Sequence, residues 1–292
     1  MTSGCQSIAI ITHARDDFAA NDYFVKLFFP EWERRGIAVH VLRGTDEFRP
    51  ADIAIMHVNL TVVPPAYRAL AARFPVVING RVDDISKCKV STHLVHRRDG
   101  YDGPVIVKTN LNYGGRPERW LTRSASRLGR LRLKVENQLH WAWSGQLDVS
   151  DYPVYERPSD VPRVVWSNPR LSVQRYLPER QGSFYCLRQW LFLGDREANT
   201  LCFSDVPIVK AANTVKRERG LPVPDELRAM RVRLGFDYGK FDYGLTDGEV
   251  VLYDANRTPT RSRESAVPPD VLAIATDLAC GIDAFFPGSC RI

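Results

Sequence analysis

Hydrophobic positions in the first third of the chain follow two alternating periods. Residues 7–12 (SIAIIT), 37–42 (IAVHVL), 52–56 (DIAIM) and 75–79 (PVVIN) are short, nearly unbroken apolar runs. That is the pattern of strands buried on both faces of a parallel sheet. Between the first two runs, Phe24, Leu27, Phe28 and Trp32 recur at helical spacing over 21–35, and Gly36 stops that helix. A second helix is predicted over 65–73, opened by Pro65. Strand–helix–strand order at this spacing predicts a small parallel α/β unit ending near Arg81.

The middle of the chain reads differently. A compact strand over 105–108 precedes a polar, glycine-containing stretch over 109–115. Residues 116–150 are basic and carry Trp120, Trp141 and Trp143, with a helix predicted over 124–138. Pro153, Pro158, Pro162 and Pro169 mark a loop-rich connection. The last third returns to strand patterns over 171–177, 185–193 and 249–253, with a helix over 225–234 introduced by Pro224. Thr246-Asp247-Gly248 reads as a hairpin turn with Asp242 on the strand before it. There is no internal repeat and no low-complexity tract.

Composition narrows the class. The chain has 292 residues, 44% hydrophobic and 25% charged, as a soluble globular protein has. Forty basic against 34 acidic residues give a net charge of +6, which suits anionic ligands such as nucleotides. No nucleic-acid module accompanies that charge, so no nucleic-acid partner is predicted. Cys5, Cys88, Cys186, Cys202, Cys280 and Cys290 form no CxxC pair and match no zinc spacing, the pattern of reduced thiols in a cytoplasmic protein. The opening residues 1–6 are short, polar and uncharged, unlike a secretory leader, and no apolar run approaches the roughly 18 residues of a membrane span.

The candidate chemistry lies in three stretches. The first is Asn79-Gly80-Arg81 through Ile85-Ser86-Lys87, followed by Gly103-Pro104-Val105-Ile106-Val107-Lys108. The second is Leu171-Ser172-Val173-Gln174-Arg175-Tyr176-Leu177-Pro178-Glu179. The third is Asp237-Tyr238-Gly239-Lys240-Phe241-Asp242-Tyr243-Gly244, then Val251-Leu252-Tyr253-Asp254-Ala255-Asn256-Arg257-Thr258-Pro259. A pocket for a polyanion needs fixed cations, and Lys87 and Lys108 flank a short predicted helix, Lys108 at the end of an apolar strand. Lys89 is close enough to compete with Lys87. Gly114 and Gly115 allow backbone N–H groups to approach phosphate oxygens. Magnesium takes hard oxygen ligands, usually one or two carboxylates plus substrate phosphates. Residues two apart on a strand face the same side, so Asp254 and Asn256 can converge with Asp242, and Lys240 should share that face. His57 follows an apolar strand and should emerge at its carboxyl end, where open α/β sheets bind ligands; a hydrogen-bonded structural histidine is the competing reading. Arg257, Arg261 and Arg263 follow the acidic cluster, and a guanidinium fork can hold a carboxylate or phosphate.

Together and in this order the three stretches resemble the ATP-grasp superfamily, over most of the chain except the basic insert at 116–151. The resemblance implies an α/β and α+β architecture: a pre-ATP-grasp domain over 1–82, then subdomains over 83–170 and 171–292 that clasp ATP. It implies that Lys87 and Lys108 contact the nucleotide phosphates and that Gln174, Arg175, Tyr176 and Leu177 form the hinge whose backbone reads adenine. It also implies that Glu179 accepts from the ribose, that Asp242, Asp254 and Asn256 hold Mg2+, and that Lys240 and Arg188 stabilise the transferring phosphoryl group. His57, Arg257 and Arg261 fall on the substrate side. The chain departs from the pattern in a shorter glycine loop, Gln174 where many relatives carry Glu, and Asp254 where they commonly carry Glu. The implied activity is ATP- and magnesium-dependent ligation: a carboxylate becomes an acyl phosphate and an amine or other nucleophile displaces phosphate. A kinase acting on a small-molecule or glycan acceptor, or a regulatory nucleotide-binding module, are the alternatives. The expected partners are ATP and an anionic small-molecule or peptide substrate; the oligomeric state stays open, a homodimer included.

Overall fold

The computed structural model describes residues 6–122, 126–149, 151–261 and 266–286. Its first unit is a sheet of β1 (Ser7–Thr12), β2 (Ala38–Arg43), β3 (Ile53–Met56) and β4 (Val76–Ile78), ordered β2-β1-β3-β4 and parallel throughout. The helix predicted over 21–35 is two pieces, a 3-10 helix at Phe24–Phe28 running into α1 (Phe29–Arg34). Pro30 explains the break: proline lacks an N–H and is tolerated only in the first turn of an α-helix, where it sits. A second helix, α2 (Pro65–Ala71), precedes β4.

After the short α3 (Lys87–Val90) comes an antiparallel sheet of β5 (Val105–Thr109), β6 (Val154–Tyr155) and β7 (Leu171–Arg175), ordered β6-β5-β7. Between β5 and β6 run α4 (Arg127–Glu136) and α5 (Trp141–Ser144). The helix predicted over 124–138 is α4; residues 123–125 lie outside the described residues. No residue of α4 is buried, so this helix lies on the surface.

The largest sheet is antiparallel: β8 (Glu179–Gln181), β9 (Phe184–Leu193), β10 (Arg196–Ser204), β11 (Lys216–Arg219), β12 (Tyr238–Thr246) and β13 (Glu249–Asn256). Its path is β11-β10-β9-β12-β13, with β8 also on β9. Between β12 and β13 only Asp247 and Gly248 intervene, with φ of 53° and 83°. Positive φ at both loop residues is the primed turn whose twist matches a hairpin, and Asp-Gly is a pair that adopts it at low cost. Helix α6 (Asp225–Leu234) precedes β12, and α7 (Pro269–Cys280) follows β13 and runs into a 3-10 helix at Gly281–Phe285.

Two cores account for the unbroken apolar runs. Alternation along β1 sends Ile8 and Ile10 to one face and Ala9 and Ile11 to the other. The first face packs on Phe28, Trp32, Leu278 and Ile282, the second on Tyr67 and Leu70. The first face is therefore closed partly by α7, and the Trp32 indole N–H donates to the Ala279 carbonyl at 2.9 Å. A separate core between α6 and the large sheet holds Leu227, Trp190, Phe192 and Phe241. The opposite face of that sheet is left uncovered by the core and forms the floor of a cleft.

Candidate functional site

The cleft has a volume of about 560 Å³ and lies between the three-stranded sheet and the large one. Period-two alternation decides which side chains enter it. Leu187, Gln189 and Leu191 point in from β9, Ala198, Thr200 and Cys202 from β10, Lys240 and Asp242 from β12, and Asp254 and Asn256 from β13. Strand register aligns them in rows. Gln189, Asp242 and Asp254 are cross-strand neighbours, and so are Leu191, Lys240 and Asn256. The Lys240 ammonium lies 3.0 Å from Asp242 Oδ1, and the Gln189 amide donates to the same oxygen at 3.2 Å. Asn256 Oδ1 accepts from the Thr258 N–H at 2.9 Å, which fixes the amide at the end of the strand.

Cations come from the opposite wall. Lys87 begins α3 and ion-pairs with Asp254. Lys108 projects from β5 and is 9% exposed, its ammonium 5.4 Å from the centroid of the Tyr253 ring. Burial first, and then the neighbouring Lys87 charge, push its pKa down, Asp254 opposes, and the net value is about 7. Lys210, on the segment between β10 and β11, also lines the cleft. Burial lowers its pKa too, while Asp242 and Asp254 pull it back up.

Arg175, Tyr176 and Leu177 line the cleft; Gln174 is buried in β7, opposite Ile106. The N–H groups of Arg175 and Tyr176 donate to the His93 and Pro104 carbonyls, each at 2.8 Å. The Leu177 carbonyl accepts the Tyr253 hydroxyl at 2.7 Å. Gly114 and Gly115 are in a short turn with φ of 65° and 68°, a conformation that favours glycine, but Asn112 and Tyr113 are the members of that turn on the cleft wall.

Several residues expected at the site stand elsewhere. Arg188 pairs in register with Tyr243, so it points to the face away from Asp242, and Gln189 occupies the place expected for it. Its Nη2 meets Glu179 Oε1 at 2.8 Å and its Nε meets Oε2 at 2.9 Å. The Leu245 N–H also donates to Glu179 at 2.9 Å, so that carboxylate is committed to the fold and does not line the cleft. His57 is fully buried, packed edge-on against Phe18 and Tyr23 with centroids 5.6 and 4.6 Å away. Neither ring nitrogen has a hydrogen-bond partner, and burial holds its pKa at about 3, so it is a neutral packing group. Arg257 is 0% exposed and donates to the carbonyls of Val58 at 3.2 Å and Val82 at 2.8 Å, and to that of Leu60. It joins the end of β13 to the first unit and is out of reach of a ligand. Arg261 does line the cleft, ion-paired with Asp22 at 2.6 Å; Arg263 lies outside the described residues.

Gln189, Lys210 and Tyr253 were absent from the sequence-based set. Gln189 had a signal, since alternation along β9 separates it from Arg188. Lys210 sits between strands, where no period applies.

A scan against family models finds no match, and neither does a search of curated proteins. Solved structures do match. An ATP-grasp RimK domain protein from Sphaerobacter thermophilus is 14% identical, with 97% of this chain and 100% of that one covered at a TM-score of 0.51. A D-cycloserine synthetase is 13% identical, covering 94% and 98% at 0.49. A D-alanine–D-alanine ligase from Bacillus anthracis is 9% identical, covering 95% and 98% at 0.44. The chain has the ATP-grasp fold.

Proposed function

We propose that the protein is an ATP-dependent ligase that activates a carboxylate as an acyl phosphate. The observation that carries this reading is the pair of adjacent rows, Asp242 with Asp254 and Lys240 with Asn256, facing Lys87 and Lys108 across one cleft. Carboxylates and ammonium groups interleaved at this spacing suit a polyanion that arrives with a divalent cation. Among the described residues no three His, Cys, Asp or Glu side chains cluster as a metal cage. Two carboxylates and one amide nevertheless fit Mg2+, which takes hard oxygen ligands and draws the rest from phosphates and water. Asp242, Asp254 and Asn256 would hold it, and it would neutralise charge on the β- and γ-phosphates.

Lys87, Lys108 and Lys210 supply fixed positive charge for the triphosphate, and Lys240, beside Asp242, would neutralise charge on the γ-phosphoryl group during transfer. The carboxylate oxygen forms a bond to the γ-phosphorus as the bond to the bridging oxygen breaks, and ADP leaves with that electron pair. An amine then attacks the acyl carbon; the C–O bond to phosphate breaks, phosphate departs with the electron pair, and the amine proton passes to water. The protein's part is positioning and electrostatics, with no covalent enzyme intermediate. Product analysis tests this. Incubation with MgATP and a productive carboxylate–amine pair should give ADP, phosphate and a condensed product in equal amounts. A phosphorylated acceptor with no free phosphate would refute ligation in favour of kinase activity.

A further inference from the structure

We infer that the end of the cleft beyond Lys240 is a chamber for an apolar side chain of the acceptor. The inference rests on the ligase reading and names the class of substrate that such a site would take.

Leu191 on β9 is the register neighbour of Lys240 on one side and of Ala198 on the other. At about 4.8 Å per strand, Ala198 stands roughly 10 Å from the Lys240 backbone. Facing these two are Val271 and Ile274 from α7 and Phe24 from the 3-10 helix, all lining the same cleft. Val271 and Ile274 lie one helical turn apart and so share a face of α7. Leu191, Val271 and Ile274 are only partly buried, at the margin of the first core. Leu191 on β9, Ala198 on β10, and Val271 and Ile274 on α7 therefore leave apolar surface open at one end of a cleft whose centre is charged, with buried Phe24 behind them. A fold closes such surface or fills it with a ligand; contiguous exposed apolar area marks binding sites.

The charges at this end are committed. Arg261 pairs with Asp22 and Arg219 with Asp270. An acceptor anion would have to displace an aspartate to reach either guanidinium. Arg217 also lines the cleft, but it pairs with Cys202, toward the Leu187 end of the floor and away from this chamber. The chemistry that fits is a short aliphatic or aromatic side chain next to an amine or carboxylate, either a free amino acid or the end of a peptide. This replaces the expectation of an acceptor with extra negative charge held by Arg257 or Arg261.

The test uses the full chain with MgATP and a panel of glycine, L-leucine, L-phenylalanine, L-aspartate, L-glutamate and leucyl-leucine, alone and in pairs. ADP release should be at least tenfold faster with the leucine- or phenylalanine-containing members than with aspartate or glutamate. Leucyl-leucine against free leucine separates the peptide source from the amino-acid source. Ala198→Phe, which fills the chamber, should raise the KM for the apolar acceptor at least tenfold and leave the Kd for ATP within twofold. Saturation-transfer NMR with a non-hydrolysable ATP analogue reports binding of the same panel without turnover. Binding of the apolar members with no ADP release would uphold the chamber and overturn the ligase reading. Preference for the acidic members, or an unchanged KM and unchanged binding in Ala198→Phe, would overturn the chamber.

Discussion

Lys108 makes ATP binding depend on pH in a way that can be calculated. Its buried ammonium has a pKa of about 7, against an ordinary value near 10.4. A triphosphate interacts with the charged form, so binding should pull the proton back onto Lys108. The sign follows: below pH 7 the lysine is already charged, and above it ATP must bind the protonated fraction or bring a proton in. That fraction is about 0.5 at pH 7, about 0.09 at pH 8 and about 0.01 at pH 9. Apparent Kd scales as the inverse of the competent fraction, so it should rise about fivefold from pH 7 to 8 and about fiftyfold from 7 to 9. The terminal phosphate, with a pKa near 6, gains little charge over this window. Calorimetric titration of MgATP in two buffers of different ionisation enthalpy should register uptake of about 0.9 proton per ATP at pH 8 from Lys108. Lys210, lowered for the same reason, adds in the same direction. In Lys108→Arg the guanidinium stays charged throughout, so only the Lys210 share should remain. Lys108→Met should bind ATP more weakly at pH 7 and share the flatter profile. No proton uptake at pH 8, or an unchanged pH slope in both variants, would refute the assignment of Lys108 to the phosphates.

Asp254→Asn should leave the melting temperature within a few degrees and lower kcat by at least a hundredfold, because it removes one of two carboxylates proposed for Mg2+; wild-type turnover with any productive substrate would remove that role. Arg257→Met should cost about 3 kcal/mol, since buried carbonyls lose a charged donor while the desolvation penalty of the guanidinium is relieved. At about 2–4 °C per kcal/mol this lowers the melting temperature by about 6–12 °C, with acceptor KM unchanged in the folded variant; a raised KM with normal stability would return Arg257 to the substrate site. His57, held near pKa 3, cannot take the proton that the unfolded chain accepts below pH 6.5, so it withdraws stability as pH falls toward 3. His57→Phe should therefore shrink the stability lost between pH 7.5 and 5 by about 2 kcal/mol, read from urea unfolding at the two pH values.

The fold was legible where one local rule decided the outcome. The run 7–12 is β1 to the residue and 225–234 is α6 to the residue, because a continuous apolar strand and a proline-opened amphipathic helix each have one reading. The hairpin was legible from Asp247-Gly248, since few pairs adopt two positive φ values cheaply. The strands β10 and β11 and the helix α7 had no prediction. For α7 the period was present, with Val271, Ile274, Ala275 and Leu278 at helical spacing, but its partner lies in the first sheet, far away in sequence.

Within the site, what alternation along one strand could decide followed from the sequence: Lys240 shares a face with Asp242, and Asp254 with Asn256, and all four line the cleft. What needed register between strands did not. Arg188 and Gln189 are adjacent in sequence and opposite in direction, and only the pairing of Asp242 with Gln189 tells which of them meets the cleft. Arginines posed the same difficulty in another form. Arg257 and Arg261 are four residues apart in one basic run, yet one is a fully buried strut among backbone carbonyls and the other stands at the cleft beside Asp22. A guanidinium carries five donors and satisfies them equally well with carbonyls of its own chain or with a ligand's carboxylate. Sequence fixes the donor count, while the acceptors that surround it are set by packing between units that are distant along the chain. The charged centre of this cleft could therefore be read from the chain, and the apolar chamber beside it, assembled from Phe24, Leu191, Ala198, Val271 and Ile274 across some 250 residues, could not.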